Sequence, residues 1–225
     1  MDEKIKTLEL GFVNAYLIKA KDGFVLIDTG LPNQWAELES KLDAAGCSTD
    51  KLKLIILTHG DWDHSGNASR LRGKYNVKIA MHPGDVNQVE NGVFLKRKVR
   101  PLSYRILFAI MMLVRKLRRN KMSAPKFKPD ILLSDGQSLE GYGLSAKVIH
   151  TPGHTPGSIG VLTGEGDLLA GDMFFNNKKP DTARIIENAG QLKNSFDRLK
   201  TMNIKMIYPG HGKPFTWERV SRISL

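Results

Sequence analysis

Several features are scarce or missing in this chain of 225 residues. It holds one cysteine, Cys47, which excludes an intramolecular disulfide and favours a reducing compartment. Its apolar runs all fall short of the roughly 18 residues that a membrane-spanning helix needs. The first residues are neither basic nor apolar in the manner of a signal peptide. The sequence therefore predicts a cytoplasmic protein, in which Cys47 fills a small space near a helix end.

Acidic residues are missing from one long stretch. Residues 94–128 hold 12 Lys or Arg and no Asp or Glu. The other 22 Lys and Arg nearly balance the 23 Asp and Glu of the whole chain. The net charge of +11 thus resides in one segment, and the remainder of the chain is close to neutral.

The composition, with 41% apolar and 25% charged residues, is typical of a globular protein with a large core. We expect one domain over residues 1–225 with a basic helical insertion at 92–130. Alternating runs predict three antiparallel strands within residues 5–28, followed by a helix from Pro32 to about Ala45. Further short apolar runs predict strands near residues 54–57, 77–81, 131–133, 139, 146–149, 159–162, 168–170 and 206–208, with helices at 65–73 and 187–202.

One stretch, Thr58 to His64, concentrates metal-binding residue types directly after a strand-like apolar run. The pattern indicates a buried strand that ends in a loop, and the loop then opens a helix. His59 and Asp61 are two residues apart, so on extended backbone their side chains lie on the same side. Asp63 and His64 are adjacent and would point apart, toward a second position. Donors directed at two neighbouring points are what a binuclear metal site needs.

The alternative interpretation of this stretch is a polar turn with two unrelated histidines. Three distant residues disfavour it, because each follows a short apolar run and stands beside Gly or Pro: His154, Asp172 and His211. We expect each of them in a tight loop at a strand end, where catalytic groups are usually presented.

Taken together, these residues resemble the metallo-β-lactamase-fold hydrolases, the superfamily that includes glyoxalase II and the lactonases. The family pattern is His-x-His-x-Asp-His, then a distant His, a bridging Asp and a final His. It is matched in order by His59, Asp63, His64, His154, Asp172 and His211. The segment 26–30 also resembles the family's early Asp motif. The resemblance covers nearly the whole chain except about 92–130, and it implies an α/β fold, the αββα four-layer sandwich.

The resemblance also implies a binuclear metal centre. Three ligands would hold each ion and one would bridge them: His59, Asp61 and His154; Asp63, His64 and His211; and Asp172. Two divalent ions would activate a water as nucleophile. Asp63 is the proposed catalytic residue, because it would also orient that water.

The chain departs from the family at Asp61, where the family usually has His. A carboxylate in this place lowers the charge of the centre and is a harder donor than imidazole. It therefore shifts the metal preference from zinc toward manganese or iron. We expect zinc as the first choice, with manganese or iron as alternatives.

The function implied is hydrolysis of a small-molecule ester, thioester, lactone or phosphoester. One alternative is an iron-dependent redox protein on the same fold, because related flavin di-iron reductases carry an acidic residue at the position of Asp61. Another is a binding module with a degenerate metal site. The ligands are generic and do not identify the substrate.

Three other polar residues have two interpretations each. His150 lies four residues before His154, but Pro152 and Gly153 break the strand between them, so we assign His154 as the ligand. His82 follows a predicted strand, and we expect it near the pocket mouth because the family does not use this position. Asp28 is either a surface turn residue or, as the family pattern implies, a supporting group behind the ligands.

The segment 94–121 combines an apolar helical stripe with basic clusters at both ends: Leu102, Ile106, Ile110, Leu113 and Leu117 form the stripe. One interpretation is a helical lid over the active site, and another is a helix that docks on an anionic membrane surface. Nucleic-acid binding is least favoured, because the stretch lacks a known recognition module. The oligomeric state is not indicated by the sequence.

Overall fold

The computed structural model describes residues 4–93, 98–99, 106, 109–110, 113 and 126–223. The predicted insertion 92–130 and its helical stripe lie largely outside the described residues.

The first sheet comprises six strands in the order β1-β2-β3-β4-β5-β7. The strands β1 to β3 are antiparallel, and β3, β4, β5 and β7 run parallel to one another. Their bounds are β1 Ile5–Leu10, β2 Val13–Ala20, β3 Gly23–Ile27, β4 Leu52–Ile56, β5 Ile79–Met81 and β7 Ile131–Leu132. The helices of this half are α1 Trp35–Ala44, α2 Trp62–Ser65, α3 Ala68–Tyr75 and α4 Val86–Asn91.

The second sheet has the order β14-β13-β10-β9-β8, with β11 on the far part of β10. Its bounds are β8 Ala146–His150, β9 Ile159–Thr163, β10 Asp167–Asn176, β11 Asp181–Thr182, β13 Met206–Gly212 and β14 Phe215–Thr216. Two helices follow its strands, α5 Ala189–Leu199 and α6 Glu218–Ser221. A separate two-stranded ladder joins β6 Lys98–Val99 to β12 Ile185–Ile186.

Side-chain alternation along the strands builds three apolar layers between four structural layers. Leu17 on β2 packs with Leu38 of α1, whereas its neighbour Ile18 packs with Val161 of the second sheet. This is the period-two pattern of a strand with both faces covered. The outer face of the second sheet packs against α5, for example through Phe196. The αββα four-layer sandwich expected from the resemblance is therefore confirmed.

Several predicted element bounds were wrong. The helix expected at 65–73 is two helices, α2 and α3, because Gly66 approaches the Gly30 carbonyl too closely for a side chain and its N–H donates to that oxygen. Near residue 139 there is only an isolated bridge from Ser138 to Lys147, followed by a 3-10 turn. The helix expected at 187–202 spans only Ala189–Leu199, starting after the Asn188 side chain, which accepts from the Gln191 N–H.

The C-terminal end of the basic segment, residues 94–128, is fixed on the domain. Phe127 is buried in the first apolar layer, and its N–H donates to the Val89 carbonyl at 3.1 Å. Near its N-terminal end, residues 98–99 are also tied to the domain, since β6 pairs with β12. Among the residues that the structure describes, no helix has the length and apolarity needed to cross a membrane.

Candidate metal centre

The seven side chains expected to bind metal come together at one end of the sandwich. The structure gathers two neighbouring groups of donor atoms, each within 4.8 Å: His59, His154 and Asp172; and Asp63, His64 and His211. We refer to them as the first and second positions. The backbone at Gly210 passes so close to Asp172 and His64 that a side chain there would overlap both. Glycine is therefore required where β13 reaches the centre.

Two of these residues lie elsewhere than expected. Asp172 and His211 belong to strands β10 and β13, and the expectation that both lie in loops at strand ends was wrong. The parallel ladder between these strands is irregular, with register shifts on both sides of Gly171, whose φ is +50°. Such irregularities redirect strand side chains, which lets strand residues face the centre.

Each imidazole of the first position has its outer nitrogen committed as a donor. His154 Nδ1 lies 2.6 Å from the Ile185 carbonyl oxygen, which can only accept. His59 Nδ1 lies 3.0 Å from the Thr58 hydroxyl oxygen. That hydroxyl donates its proton to Asp28 Oδ2 at 2.7 Å, so it accepts from His59. In both rings Nε2 is therefore the atom left to face the centre.

The second position is arranged in the same way. His64 Nδ1 lies 2.8 Å from Asp28 Oδ2, and His211 Nδ1 lies 2.7 Å from the Phe12 carbonyl oxygen. Both rings donate through Nδ1 and direct Nε2 inward. Asp28 thus supports both positions from behind, as the family pattern implied. Its backbone lies at φ +59°, a conformation that few residues other than Gly, Asn and Asp adopt.

The inward nitrogens face carboxylate oxygens. Asp172 lies 3.2 Å from His64 Nε2, 3.3 Å from His211 Nε2 and 3.6 Å from His154 Nε2. Within the described residues, Nε2 of His59 and of His64 and Oδ1 of Asp172 are buried without a hydrogen bond of acceptable geometry. Lone pairs opposed in this manner need a proton or a metal ion between them, and a histidine that ligates metal characteristically donates its other N–H to an acceptor. The residues therefore fit two metal ions.

Protons can occupy the same nitrogens when no metal does. Burial lowers the pKa of His211, but the charges of Asp172 and Asp63 outweigh burial and raise the pKa from 6.5 to about 9. Burial likewise lowers the pKa of His64, yet Asp172, Asp28 and Asp63 hold it well above its ordinary value. Burial raises the pKa of Asp172, but the facing His211 and His64 keep it well below the usual range. The centre thus attracts positive charge strongly.

Asp61, the seventh expected ligand, lies beside the first position but is not one of the three residues that form it. Its Oδ2 is 3.1 Å from His154 Nε2 and 3.4 Å from His59 Nε2. Its Oδ1 accepts a hydrogen bond of 2.6 Å from Nε2 of Gln88, a buried residue of α4. Gln88 was not among the residues chosen from the sequence, because a lone Gln in a short helical pattern gives no signal.

Asp85 is a second supporting residue that the sequence did not reveal. It is 1% exposed, and its carboxylate accepts from the Gly60 N–H, the Thr155 hydroxyl and the Gly157 N–H at 2.7–2.9 Å. These groups belong to the two loops that carry His59 and His154. Asp85 therefore fixes the two loops relative to one another.

The two remaining candidate histidines stand outside both groups. His82 and His150 stack on each other with ring centroids 4.0 Å apart. His150 Nε2 donates to the Pro156 carbonyl at 2.9 Å, and His82 Nδ1 accepts from the Gly84 N–H at 3.1 Å. The structure thus brings His154, and not His150, to the metal centre.

With this geometry established, comparisons with known proteins give the family. The model of the metallo-beta-lactamase superfamily matches residues 8–211. The chain belongs to this superfamily. A Methanocaldococcus jannaschii protein named a probable metallo-hydrolase is 30% identical over 205 residues, which cover 89% of this chain and 87% of that protein.

Two other comparisons limit what can be transferred to this superfamily member. The chain is 24% identical to the beta-lactamase-like protein 2 homolog of Drosophila melanogaster but spans only 58% of its length. The crystal structure of TTHA1623 in a di-iron-bound form superposes with a TM-score of 0.71 and 24% identity, covering 97% of this chain and 96% of that one. This second likeness shows the fold.

Proposed function

We propose that the chain is a metal-dependent hydrolase with two divalent ions, one at each position. The ligands would be those expected from the sequence: His59, Asp61 and His154; Asp63, His64 and His211; and Asp172 between them. The observation that supports this most is the common orientation of four imidazoles, all donating through Nδ1 and all directing Nε2 at carboxylates.

Bound ions would supply a Lewis acid and lower the pKa of a water from 15.7 to about 7. The chain's own residues would position that water and the substrate. The side chain of Asp63 is 16% exposed, and its Oδ2 lies 3.6 Å from His211 Nε2. We assign its carboxylate to orient the water and receive its proton. Asp28 and Thr58 would keep the histidine tautomers fixed throughout.

The substrate class proposed is a small-molecule ester, thioester, lactone or phosphoester. The test is a panel of these substrates with protein reconstituted in zinc, manganese or iron. We expect turnover of at least one class that depends on added metal and is lost with a chelator. A full metal complement without turnover of any class would contradict hydrolysis.

Iron-dependent redox chemistry is the second candidate. It is supported by Asp61, a harder donor than the usual imidazole, and by the di-iron form of a protein with the same fold. Metal analysis of protein purified without added metal separates the two functions. Zinc or manganese with hydrolytic turnover supports the first, whereas iron with visible absorption and no hydrolysis supports the second. A degenerate binding module would show neither a full metal complement nor turnover.

The basic segment is proposed to dock on an anionic membrane surface, which would place a cytoplasmic protein at the membrane periphery. Three helical residues four and three positions apart present an apolar stripe to solvent: Ile106, Ile110 and Leu113 are 57%, 53% and 56% exposed. Twelve Lys or Arg without one Asp or Glu surround this stripe in the sequence. Apolar side chains flanked by cations suit the interface of an anionic bilayer.

Sedimentation with vesicles tests the docking. The unmodified chain should bind vesicles rich in phosphatidylserine, release them at high salt, and ignore neutral vesicles. Replacing Ile106, Ile110 and Leu113 with Ser should abolish binding. Leu132→Ser is the matched control, because Leu132 is 58% exposed but lies outside the segment.

A deletion separates docking from a structural role. A Gly-Ser linker in place of residues 100–125 keeps β6 on β12 and keeps the hydrogen bond from Phe127 to Val89. Metal content should be unchanged, while vesicle binding or KM changes. A deletion protein that binds vesicles as before would contradict the docking, and loss of metal would show that the segment belongs to the core.

A further inference from the structure

Asp61, the position at which this chain departs from the family pattern, has a buried amide neighbour. Gln88 is 6% exposed, and its Nε2 donates to Asp61 Oδ1 at 2.6 Å. The other oxygen, Oδ2, faces the Nε2 atoms of His154 and His59. The two oxygens of Asp61 are thus divided between an amide donor and the first metal position.

The amide is not explained by packing. Among the described residues, Oε1 of Gln88 is buried without a hydrogen-bond partner. A buried amide oxygen left unpaired destabilises a fold, whereas an apolar side chain of similar size would not. Rotating the amide would bring Oε1 against the carboxylate of Asp61. The donor therefore serves Asp61 at the expense of its own oxygen.

We propose that Gln88 is a positioning residue that makes Asp61 a one-oxygen ligand and thereby sets the coordination number and metal preference of the first position. This inference rests on the proposed metal centre. A carboxylate that offers one oxygen suits the four-coordinate sites of zinc. A carboxylate free to chelate with both oxygens suits cations that prefer more oxygen ligands, such as manganese. Holding Oδ1 away from the metal therefore favours zinc.

A charge-matched pair of substitutions tests the contact. Gln88→Glu places an acceptor against Asp61 Oδ1 and should lower the affinity of the first ion by about 10- to 100-fold, the usual range for a partner of a ligand. In an Asp61→His background, the same carboxylate can accept from the outer N–H of the new imidazole. In that background, Gln88→Glu should lower the affinity of the first ion by less than about threefold, or raise it. Affinity is measured by chelator competition on the full chain.

A spectroscopic readout separates positioning from structural support. In Gln88→Leu, Asp61 is free to use both oxygens, so the cobalt-substituted protein should absorb more weakly in the visible region as the coordination number rises. Its preference for zinc over manganese should fall at least about fivefold. Gln34→Leu is the matched control, because Gln34 bridges the Leu31 N–H and the Leu10 carbonyl away from the metal. It should change neither spectrum nor preference.

The outcomes divide clearly. Equal losses from Gln88→Glu in both backgrounds, or an unchanged spectrum and metal preference in Gln88→Leu, would overturn the inference alone. An unmodified chain that binds no metal would overturn the proposed centre and the inference with it. Rescue by the charge-matched pair together with the cobalt signature would establish Gln88 as the residue that positions Asp61.

Discussion

The first and second positions offer nearly the same donors but are supported differently. Each combines two imidazoles with one carboxylate, Asp172 in the first and Asp63 in the second. Asp172 also faces His64 and His211 of the second position, and Asp61 lies beside the first. Because Asp61 replaces the usual imidazole, the donors alone do not distinguish the two positions. The two positions differ in the groups that hydrogen-bond to their donor residues. The first is supported by neutral groups, a hydroxyl, a carbonyl and an amide, whereas the second has a carboxylate directly on one ligand.

If both positions bind metal as proposed, their different outer contacts would give the two ions different affinities. A carboxylate that accepts from a ligating imidazole raises its basicity, so the second position should bind its ion more tightly. Exposure opposes this, because 17% of the His211 side chain is accessible against 3% for His154. The experiments below are chosen to separate these effects, beginning with the largest expected loss.

Removing the charge of Asp172 should affect both positions. Asp172→Asn keeps the shape of the side chain but leaves the repulsion between two cations without its central anion. We expect at least one ion to be lost per chain and kcat/KM to fall by more than about 100-fold, since even indirect partners of ligands cost 10- to 100-fold. Metal analysis and kinetics check this. Wild-type turnover would mean that Asp172 does not bridge.

Single-ligand variants should empty one position at a time. His59→Ala should lose the first ion and His211→Ala the second, while both keep the fold by circular dichroism. His82→Ala is the control, because its ring stacks on His150 outside both groups. Unchanged metal stoichiometry in both ligand variants would refute the assignment of the ligands.

Asp28→Asn should weaken metal binding at the second position, where the Asp28 carboxylate contacts His64. Asn tolerates the positive φ of residue 28 and keeps the shape, but it no longer places a full negative charge against His64 Nδ1. We expect the second ion to bind about 10- to 100-fold more weakly, with a smaller loss at the first. Two-site titration measures both affinities. Equal losses would mean that Asp28 acts mainly through Thr58.

Asp61→His should give the first position three imidazoles, the donor set that the family usually has there, while the second keeps two. Imidazole is the softer donor, so zinc should gain on manganese. The centre loses one negative charge, and the pH–rate profile should therefore shift its basic limb to lower pH. Competition titrations and a pH series test both expectations. If neither changes, Asp61 does not coordinate a metal.

The smallest effect concerns the metal-free chain. The pKa of His211 is raised from 6.5 to about 9, so the stability from its ion pair is fully present below 6.5 and is lost as pH rises through about 9. The pKa of Asp172 is lowered, so its contribution is present above about 3.8 and is lost on acidification below that. Thermal unfolding with a chelator should show Tm falling from pH 6.5 to 9. Saturating metal should remove this decline, and an equal decline with metal would contradict it.

The sequence pointed to residues that the structure groups together, because metal-binding side chains belong to a few residue types. His59, Asp63 and His64 lie within six residues, and short apolar runs mark the strands that carry the others. It failed where geometry depends on a neighbouring chain segment. The placement of Asp172 and His211 inside strands follows from the irregular β10–β13 ladder, which no local pattern encodes.

The four layers were predicted from the resemblance to the superfamily, and the short apolar runs of the sequence predicted most of the strands that build them. The tertiary structure alone decided the supports. Gln88 reaches Asp61 across 27 residues, Asp85 reaches Thr155 across 70, and Phe12 lends its carbonyl to His211 across 199. Such contacts are made by ordinary residue types, and one of them by the backbone, so their identity carries no signal until folding brings the segments together.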